Sequence, residues 1–300
     1  MMTYVPLPER RSLRENLGNM MGATGRFVAD LMREPLGRAG FIVVMLLILI
    51  AIFAPLIAPY SPTRQALGSA LQAPSATHWL GTDEYGRDIL SRLIWGTRIT
   101  MQTILSISAI VGPVGLIIGV TAGFFGGRID AVLMRFTDIV LSFPSLVLAL
   151  AFAAAMGAGL QTAIIAISLT AWPPVARLAR AEALVVRNAD YVNAARLYGA
   201  GKLRLIFLYV VPMCIPSVIV RLTLNMATIT LTAASLGFLG LGAQPPSPEW
   251  GAMISAGRRF MLDQWWVALM PGFAILLTSL AFNVLGDALR DVLDPRYTRK

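Results

Sequence analysis

Asp190-Tyr-Val-Asn-Ala-Ala-Arg-Leu-Tyr-Gly199, carried on by a basic run as far as Pro212, lies between two hydrophobic spans. The stretch reads as a short helix with a stop signal at each end. Asp190 is the expected N-cap, its carboxylate placed to accept from the free amides of the first turn. Gly199 stands where a left-handed residue ends a helix. The residues between them cover about 12 Å at about 1.5 Å per residue. Ala194 and Ala195 leave one face with little bulk, so another protein's backbone can come close. A capped helix hung between two oily spans has the shape of a plug for a partner's socket.

The flanking chain is membrane protein throughout. Of 300 residues, 56% are hydrophobic and 14% charged, against about 45–50% and about 25% in soluble domains. A crossing helix takes about 20 apolar residues, and six stretches qualify, near 39–58, 99–124, 132–156, 161–181, 211–238 and 266–286. The expected fold is therefore an all-α integral membrane protein of six transmembrane helices. Its parts are an N-terminal segment 1–38, a peripheral first helix 39–58, a loop 59–98, a five-helix core 99–286 holding the loop 182–212, and a tail 287–300. No cleavable secretory signal is expected before the first span, because a polar basic segment precedes it. Cys214 is the only cysteine, which excludes an internal disulfide framework.

A net charge of +9 invites a nucleic-acid reading, but the distribution argues otherwise. Segments 1–38, 125–135, 174–205 and 287–300 hold 18 Lys and Arg, and the alternate loops hold 6. That asymmetry is the positive-inside pattern. It puts both termini and the Asp190 loop in the cytoplasm, explains the basic balance by lipid, and removes nucleic acid as a partner. Arg26–Arg38 suits an amphipathic helix on the inner leaflet, with Phe27, Leu31 and Met32 in lipid.

Polar residues inside or beside the spans mark candidate sites. Arg221, Asn225, Thr228, Thr232 and Ser235 recur at helical spacing along span five and form one stripe. Such a stripe faces protein or water rather than lipid, so it lines a translocation pathway or bonds neighbouring helices. In the loop before span two, Asp83, Arg87, Asp88 and Arg92 are placed to brace the chain by ion pairs or to meet a delivering protein. His78 is read as an exposed loop residue; as the only histidine it rules out a zinc site with a second imidazole. Thr82, Asp83, Glu84 and Asp88 are poor cation ligands beside so many arginines. Gly115, Gly119 and Gly123 make a smooth ridge for close helix packing, internal or against a second subunit. Arg135 and Asp138 sit one turn apart, as a structural pair. Trp172-Pro173-Pro174 breaks or kinks span four, and Glu182 pairs with Arg177 or Arg180. Trp250, Trp265 and Trp266 mark an interface.

The opening stretch also resembles the "EAA" loop of permease subunits of bacterial ABC importers. Asn193-Ala194-Ala195 is followed at the family spacing by Gly199 and Pro212, with Asn193 in place of Glu, Tyr209 of Ile and Val211 of Leu. Other blocks are similar to the dipeptide/oligopeptide/nickel branch, as its second (C-type) permease. They are Arg33-Glu-Pro-Leu36, Gly81-Thr-Asp-Glu-Tyr-Gly-Arg-Asp88, Phe124-Phe-Gly-Gly-Arg128 with Phe143-Pro-Ser145, Leu236–Met253, and Asn283-x-x-Gly-Asp-x-x-Arg-Asp-x-x-Asp-Pro-Arg296. The resemblance implies a type I ABC importer permease in the bacterial inner membrane. Asp190, Tyr191, Asn193, Ala194, Ala195, Arg196 and Gly199 would dock an ATPase. Implied partners are a second homologous permease, two ABC ATPase subunits, a periplasmic substrate-binding protein, membrane lipid and a small peptide.

The chain carries no engine of its own. A Gly-x-x-x-x-Gly-Lys-Ser/Thr loop is absent, and Leu203 follows Gly199-Ala-Gly-Lys202 where a magnesium-binding hydroxyl would stand. No catalytic residue, metal site or cofactor is expected in it, ATP and magnesium being left to the ATPase partners. Three classes compete. A peptide importer half-channel, or its nickel-chelate or glutathione-type relative, uses both the docking helix and the stripe. An ion-coupled secondary transporter requires a repeat and midplane carboxylates, and neither is present. A membrane scaffold leaves the stripe without a purpose.

Overall fold

The computed structural model describes residues 31–32, 34–66 and 69–293. The start of the 26–38 helix and the Asp294-Pro295-Arg296 end of the C-terminal motif lie outside the described residues. Leu31 is buried beside Ala288 and Leu289, so it packs on protein rather than in a leaflet.

Helices α1 (Pro35–Ile57), α2 (Ile89–Phe125), α3 (Gly127–Leu141), α4 (Ser145–Met156), α5 (Leu160–Ala171), α6 (Pro173–Val186) and α7 (Asp190–Leu197) follow in order. A short α8 (Lys202–Leu205) enters a π-helical turn at Ile206–Val210, then α9 (Val211–Phe238). The small α10 (Trp250–Gly257) and the long α11 (Trp266–Leu293) complete the described chain. Among the described residues five helical stretches are long and apolar enough to cross a membrane, and the bent pair α3–α4, taken as one span, makes a sixth.

Local chemistry explains most boundaries. Pro35 opens α1, where a missing N–H costs nothing. Asp88 caps α2, accepting from the Ser91 amide at 2.7 Å. That cap moves the start of the helix from the expected 99 to 89. Ile89, Ser91, Arg92 and Ile94 are buried there, so this polar first stretch lies in protein, where hydropathy for lipid does not apply. Pro212 follows the π-turn, and the Val211 amide reaches back to the Ile206 carbonyl. A π-turn of this kind is a local departure from the regular ladder.

Of two expectations about breaks, one is corrected and one is met. The span expected at 132–156 bends by 85° between α3 and α4. Pro144 disfavours helical dihedrals at the residue before it, and Ser142-Phe143 becomes the corner. The double proline breaks the helix at Trp172 as expected, ending α5 at Ala171 and opening α6 at Pro173, but bends the span less. Trp172 keeps φ −73 and ψ −30, the prolines occupy the first turn of α6, and Leu160–Val186 runs on as one 27-residue span.

The glycine ridge of α2 decides the packing. A Cβ at Gly115 would lie 2.6 Å from Val175 Cβ, one at Gly119 2.7 Å from Ala179 Cβ, and one at Gly123 2.7 Å from the Arg180 carbonyl. The ridge therefore seats α6 of the same chain, backbone to backbone. Elsewhere Gly37 of α1 meets Ala288, and Gly286 of α11 meets Leu224 of α9. Gly119→Leu should destabilise the protein by about 1–3 kcal/mol through overpacking, read as a lower thermal midpoint in detergent. Gly201→Ala, with nothing within 4 Å of its Cβ, is the control and should hold the wild-type midpoint. Equal midpoints for all three proteins would contradict the packing role.

Candidate functional site

The α7 helix projects from the end of the bundle where α2 and α6 finish. Ala189 is the N-cap, with φ −68 and ψ 147, and no side chain caps the helix. Asp190 is thus the first helical residue rather than the cap. Its carboxylate still sits in the first turn, where the helix dipole favours it. The far end is as expected. Gly199 has φ +83, its amide donates to the Arg196 carbonyl at 3.0 Å, and the Ala200 amide donates to the Ala195 carbonyl at 3.1 Å. Those two bonds make a Schellman stop.

Val192 is fully buried and anchors the helix, while the Tyr191 ring stacks on Tyr209 of the π-turn at 6.5 Å. Asn193 Nδ2 donates to the Asn188 carbonyl at 3.2 Å and its Oδ1 accepts from Arg196 at 3.3 Å. Ala194 is exposed and Ala195 half-buried, so the low-bulk face is only partly presented. Leu197 and Tyr198 are the prominent side chains, 89% and 93% exposed. The family spacing does not single them out. Their signal in the sequence is two large apolar residues ending a short polar helix beside Gly199.

Side-chain ties join this end to the spans, and several replace the expected pairs. Asp138 pairs with Arg177 at 2.6 Å, not with Arg135 one turn away. Arg180 grips Asp130 through two bonds of 2.5 and 2.6 Å. Glu182 takes neither arginine, and accepts instead from Ser217 of α9 at 2.8 Å. Arg187 donates to the Gly123 carbonyl at 2.7 Å. Together these bonds connect α6 to α2, α3 and α9 immediately before α7.

The stripe residues Arg221, Asn225, Thr228, Thr232 and Ser235 lie along α9, with Thr228 exposed and the others half-buried. Thr232 donates to the Thr228 carbonyl at 2.9 Å and Ser235 to the Leu231 carbonyl at 2.8 Å. Both hydroxyls thus bond their own helix instead of bridging to a neighbour. Arg221 Nε is buried and has no hydrogen-bond partner among the described residues.

The braced loop lies at the opposite end of α2, about 55 Å away for 37 residues at about 1.5 Å each. Asp83 accepts from Arg87 Nε at 2.6 Å, and Arg92 Nε stands 3.5 Å from the same carboxylate oxygen. Asp88 divides its oxygens between the α2 cap and His78 Nδ1 at 2.9 Å. His78 is therefore held in the loop, its side chain 17% exposed, rather than free on the surface as expected. No cluster of metal-ligand type occurs among the described residues. Helix α7, the stripe and the loop are three separate places, which the long helices hold apart.

Residues 115–299 match the family model for the inner membrane component of binding-protein-dependent transport systems. The chain belongs to that family. Residues 24–74 match the N-terminal transmembrane domain of oligopeptide transport permease C. The chain is 46% identical over 263 residues to the probable D,D-dipeptide transport system permease protein DdpC of Escherichia coli (strain K12), covering 88% of each chain. It is also 46% identical to the di/tripeptide transport system permease protein DppC of Pseudomonas aeruginosa (strain UCBPP-PA14), over 86% of this chain and 87% of the relative. The fold is similar to a chain of the inward-facing MetNI methionine ABC transporter, with a TM-score of 0.55, 19% identity, and coverage of 68% of this chain and 97% of the other. As a permease of this family it is an integral inner-membrane protein that works with other transporter subunits.

One further residue near the loop end is titratable in an unusual setting. Glu249 caps α10, accepting from the Gly251 and Ala252 amides at 2.8 and 2.7 Å. Burial pushes its carboxyl above the ordinary range, and those two bonds pull partly back. A raised folded value means that the associated stability is full below the unfolded value, about 4.3, and is lost as pH rises through the folded one. Glu249→Gln should remove this dependence, so the fall in thermal midpoint between about pH 4 and about pH 8 becomes smaller than in wild type. Superimposable midpoint curves would contradict the assignment.

Proposed function

We propose that this permease is one half of the translocation pore of an ATP-driven ABC importer for small peptides, and that α7 is where it takes force from an ATPase. The feature that carries the reading is α7 itself. It is a short helix held by Val192 and a left-handed stop, with Leu197 and Tyr198 left uncovered. A helix of this kind, tied through Arg180, Arg187 and Glu182 to three other helices, transmits a push instead of absorbing it. Asp190, Tyr191, Asn193, Ala194, Ala195, Arg196 and Gly199 form the docking element, joined by Leu197 and Tyr198.

In this scheme α7 and both termini face the cytoplasm, as the basic residues favour. Two ABC ATPase subunits bind ATP and magnesium, and this chain binds neither. Their closure pushes α7 and its counterpart in a second homologous permease. The stripe on α9 then opens outward to receive a peptide from a periplasmic binding protein, and hydrolysis resets the pore. The outward faces of α1 and the other spans, with Leu46, Ile52 and Leu56 uncovered, are covered by membrane lipid. The peptide names of the relatives favour peptide over nickel-chelate cargo, and an ion-coupled mechanism has no carboxylate in mid-span to use.

Two substitutions test the docking role. A Cβ at Gly199 would meet nothing within 4 Å, while its left-handed backbone makes any other residue cost about 1–2 kcal/mol of strain at the helix stop. Gly199→Val should abolish uptake of a labelled dipeptide in cells while the chain remains in the membrane fraction. Uptake at the wild-type rate would end the docking assignment. Asn193→Glu should leave co-purification of the ATPase subunits equal or stronger, because a carboxylate near the first turn suits the helix dipole. Weaker association would count against the orientation of α7 proposed here.

A further inference from the structure

The polar stripe of α9 differs along its length. Thr232 and Ser235, at its outer end, give their hydroxyls to carbonyls of their own helix. Arg221 and Asn225 lie further in, one turn apart on the same face. Of the Arg221 guanidinium only Nε is enclosed, and it has no hydrogen-bond partner among the described residues. Its two terminal nitrogens and the Asn225 side-chain amide are neither enclosed nor bonded to protein among those residues. The inner half of the stripe therefore holds uncommitted donors, and the outer half does not.

Neighbouring helices fix the depth of this pair. Leu222 packs on Gly112 of α2, its Cδ1 2.7 Å from where a Cβ would stand. The charged end of the bundle begins at Gly123, whose carbonyl accepts from Arg187. Gly112 lies about 16 Å from that level at about 1.5 Å per residue, which is half of a hydrocarbon layer of about 30 Å. Arg221 is thus set in mid-span, too deep for the headgroups of either leaflet to supply its counter-charge. Glu182 of α6 meets the same face of α9 one turn further in, but its carboxylate is engaged by Ser217 at 2.8 Å. Arg221 forms no ion pair among the described residues. An ionisable side chain at that depth marks a functional site by default, and the acidic group it lacks has to come from outside the chain.

The free edge of a guanidinium is the geometric match for a carboxylate. A side-chain amide one turn away offers a donor and an acceptor, which is what a peptide group requires. We propose that Arg221 is a specificity-determining residue of the translocation pathway. Its terminal nitrogens hold the C-terminal carboxylate of a small peptide in transit, and Asn225 meets the adjoining peptide group. Nε stays in the wall and takes no part. A single cation with no second one beside it holds weakly enough to let the cargo leave, as conduction through a pore demands. Neither contact reads the peptide's side chains, so the site selects a free C-terminus and accepts varied residues. This inference rests on the peptide-import reading and adds to it the group by which the pore recognises its cargo.

The test uses the complex that co-purifies with this chain, in proteoliposomes. Uptake of labelled dialanine should fall about tenfold in Arg221→Gln, as expected for one lost charge-assisted contact, and Arg221→Lys should restore most of it. Arg221→Gln at the wild-type rate, or Arg221→Lys as slow as Arg221→Gln, would overturn the assignment. A second arm keeps Arg221 in place. Thr228→Cys, with the buried Cys214 changed to Ser, is treated during ATP hydrolysis with a sulfonate-bearing and a trimethylammonium-bearing methanethiosulfonate, each rate divided by that of a free thiol in solution. The anionic reagent should react about tenfold faster on this scale, and adding Arg221→Gln should level the two. Equal rates beside Arg221, or no reaction with either reagent, would overturn the site however well the Gln variant folds. Dialanine uptake by the unsubstituted complex reads the peptide-import assignment separately. Uptake without a charge preference at position 228 overturns the role of Arg221 alone. A charge preference without dialanine uptake supports the carboxylate site and overturns peptide as the cargo.

Discussion

The close approach of α2 and α6 is the constraint on which the other elements depend. In hydrocarbon two apolar helices gain nothing from avoiding water, because lipid tails are as apolar as Leu, so association rests on packing and hydrogen bonds. Gly115, Gly119 and Gly123 let Val175, Ala179 and Ala183 come down onto the α2 backbone. Any side chain on the ridge would separate the pair, and α6 leads directly into α7. The position of the exposed helix is therefore set by three residues that lie outside it.

Polar ties at the end of that seam do different amounts of work. Arg180 and Asp130 form a two-pronged pair with side chains 34% and 18% exposed. The geometry and partial burial make it the stronger one. Arg177 and Asp138 are 55% and 51% exposed, and a solvated pair of that kind contributes about 0–1 kcal/mol. Arg187 on the Gly123 carbonyl closes the seam at its last residue. Motion imposed on α7 must therefore shift α6 against α2 or carry both with it. The π-turn at Ile206–Val210, stacked on Tyr191 through Tyr209, connects the same helix to α9 and its stripe.

Much of this architecture is legible in the order of the residues. The number of spans follows from hydropathy, with the bent pair counted once. Gly199 is identifiable as a helix stop because only a left-handed residue satisfies the carbonyls there. Asp83 and Arg87 are identifiable because four residues bring them together in a short loop. The failures are of another kind. Arg135 has the right sequence spacing for Asp138 and loses it to Arg177, 39 positions away. His78 reads as exposed because nothing in its own neighbourhood shows that the loop folds Asp88 onto it. The first ten residues of α2 are too polar to be taken for span, since they are buried in protein and not in lipid. The corner at Phe143-Pro144 is written in the chain, but hydropathy on both sides masks it.

The sequence by itself determined which stretches are apolar enough to cross a membrane, and that a short helix between two of them stops at Gly199. Those properties depend on transfer free energies and backbone preferences that act over a few neighbouring residues. Only the tertiary structure decided which arginine holds which carboxylate, which helix lies on the glycine ridge, and how far Arg221 stands from the charged end of the bundle. Such pairings depend on the mutual approach of helices far apart in the chain, where many partners of the right charge compete and close packing selects among them.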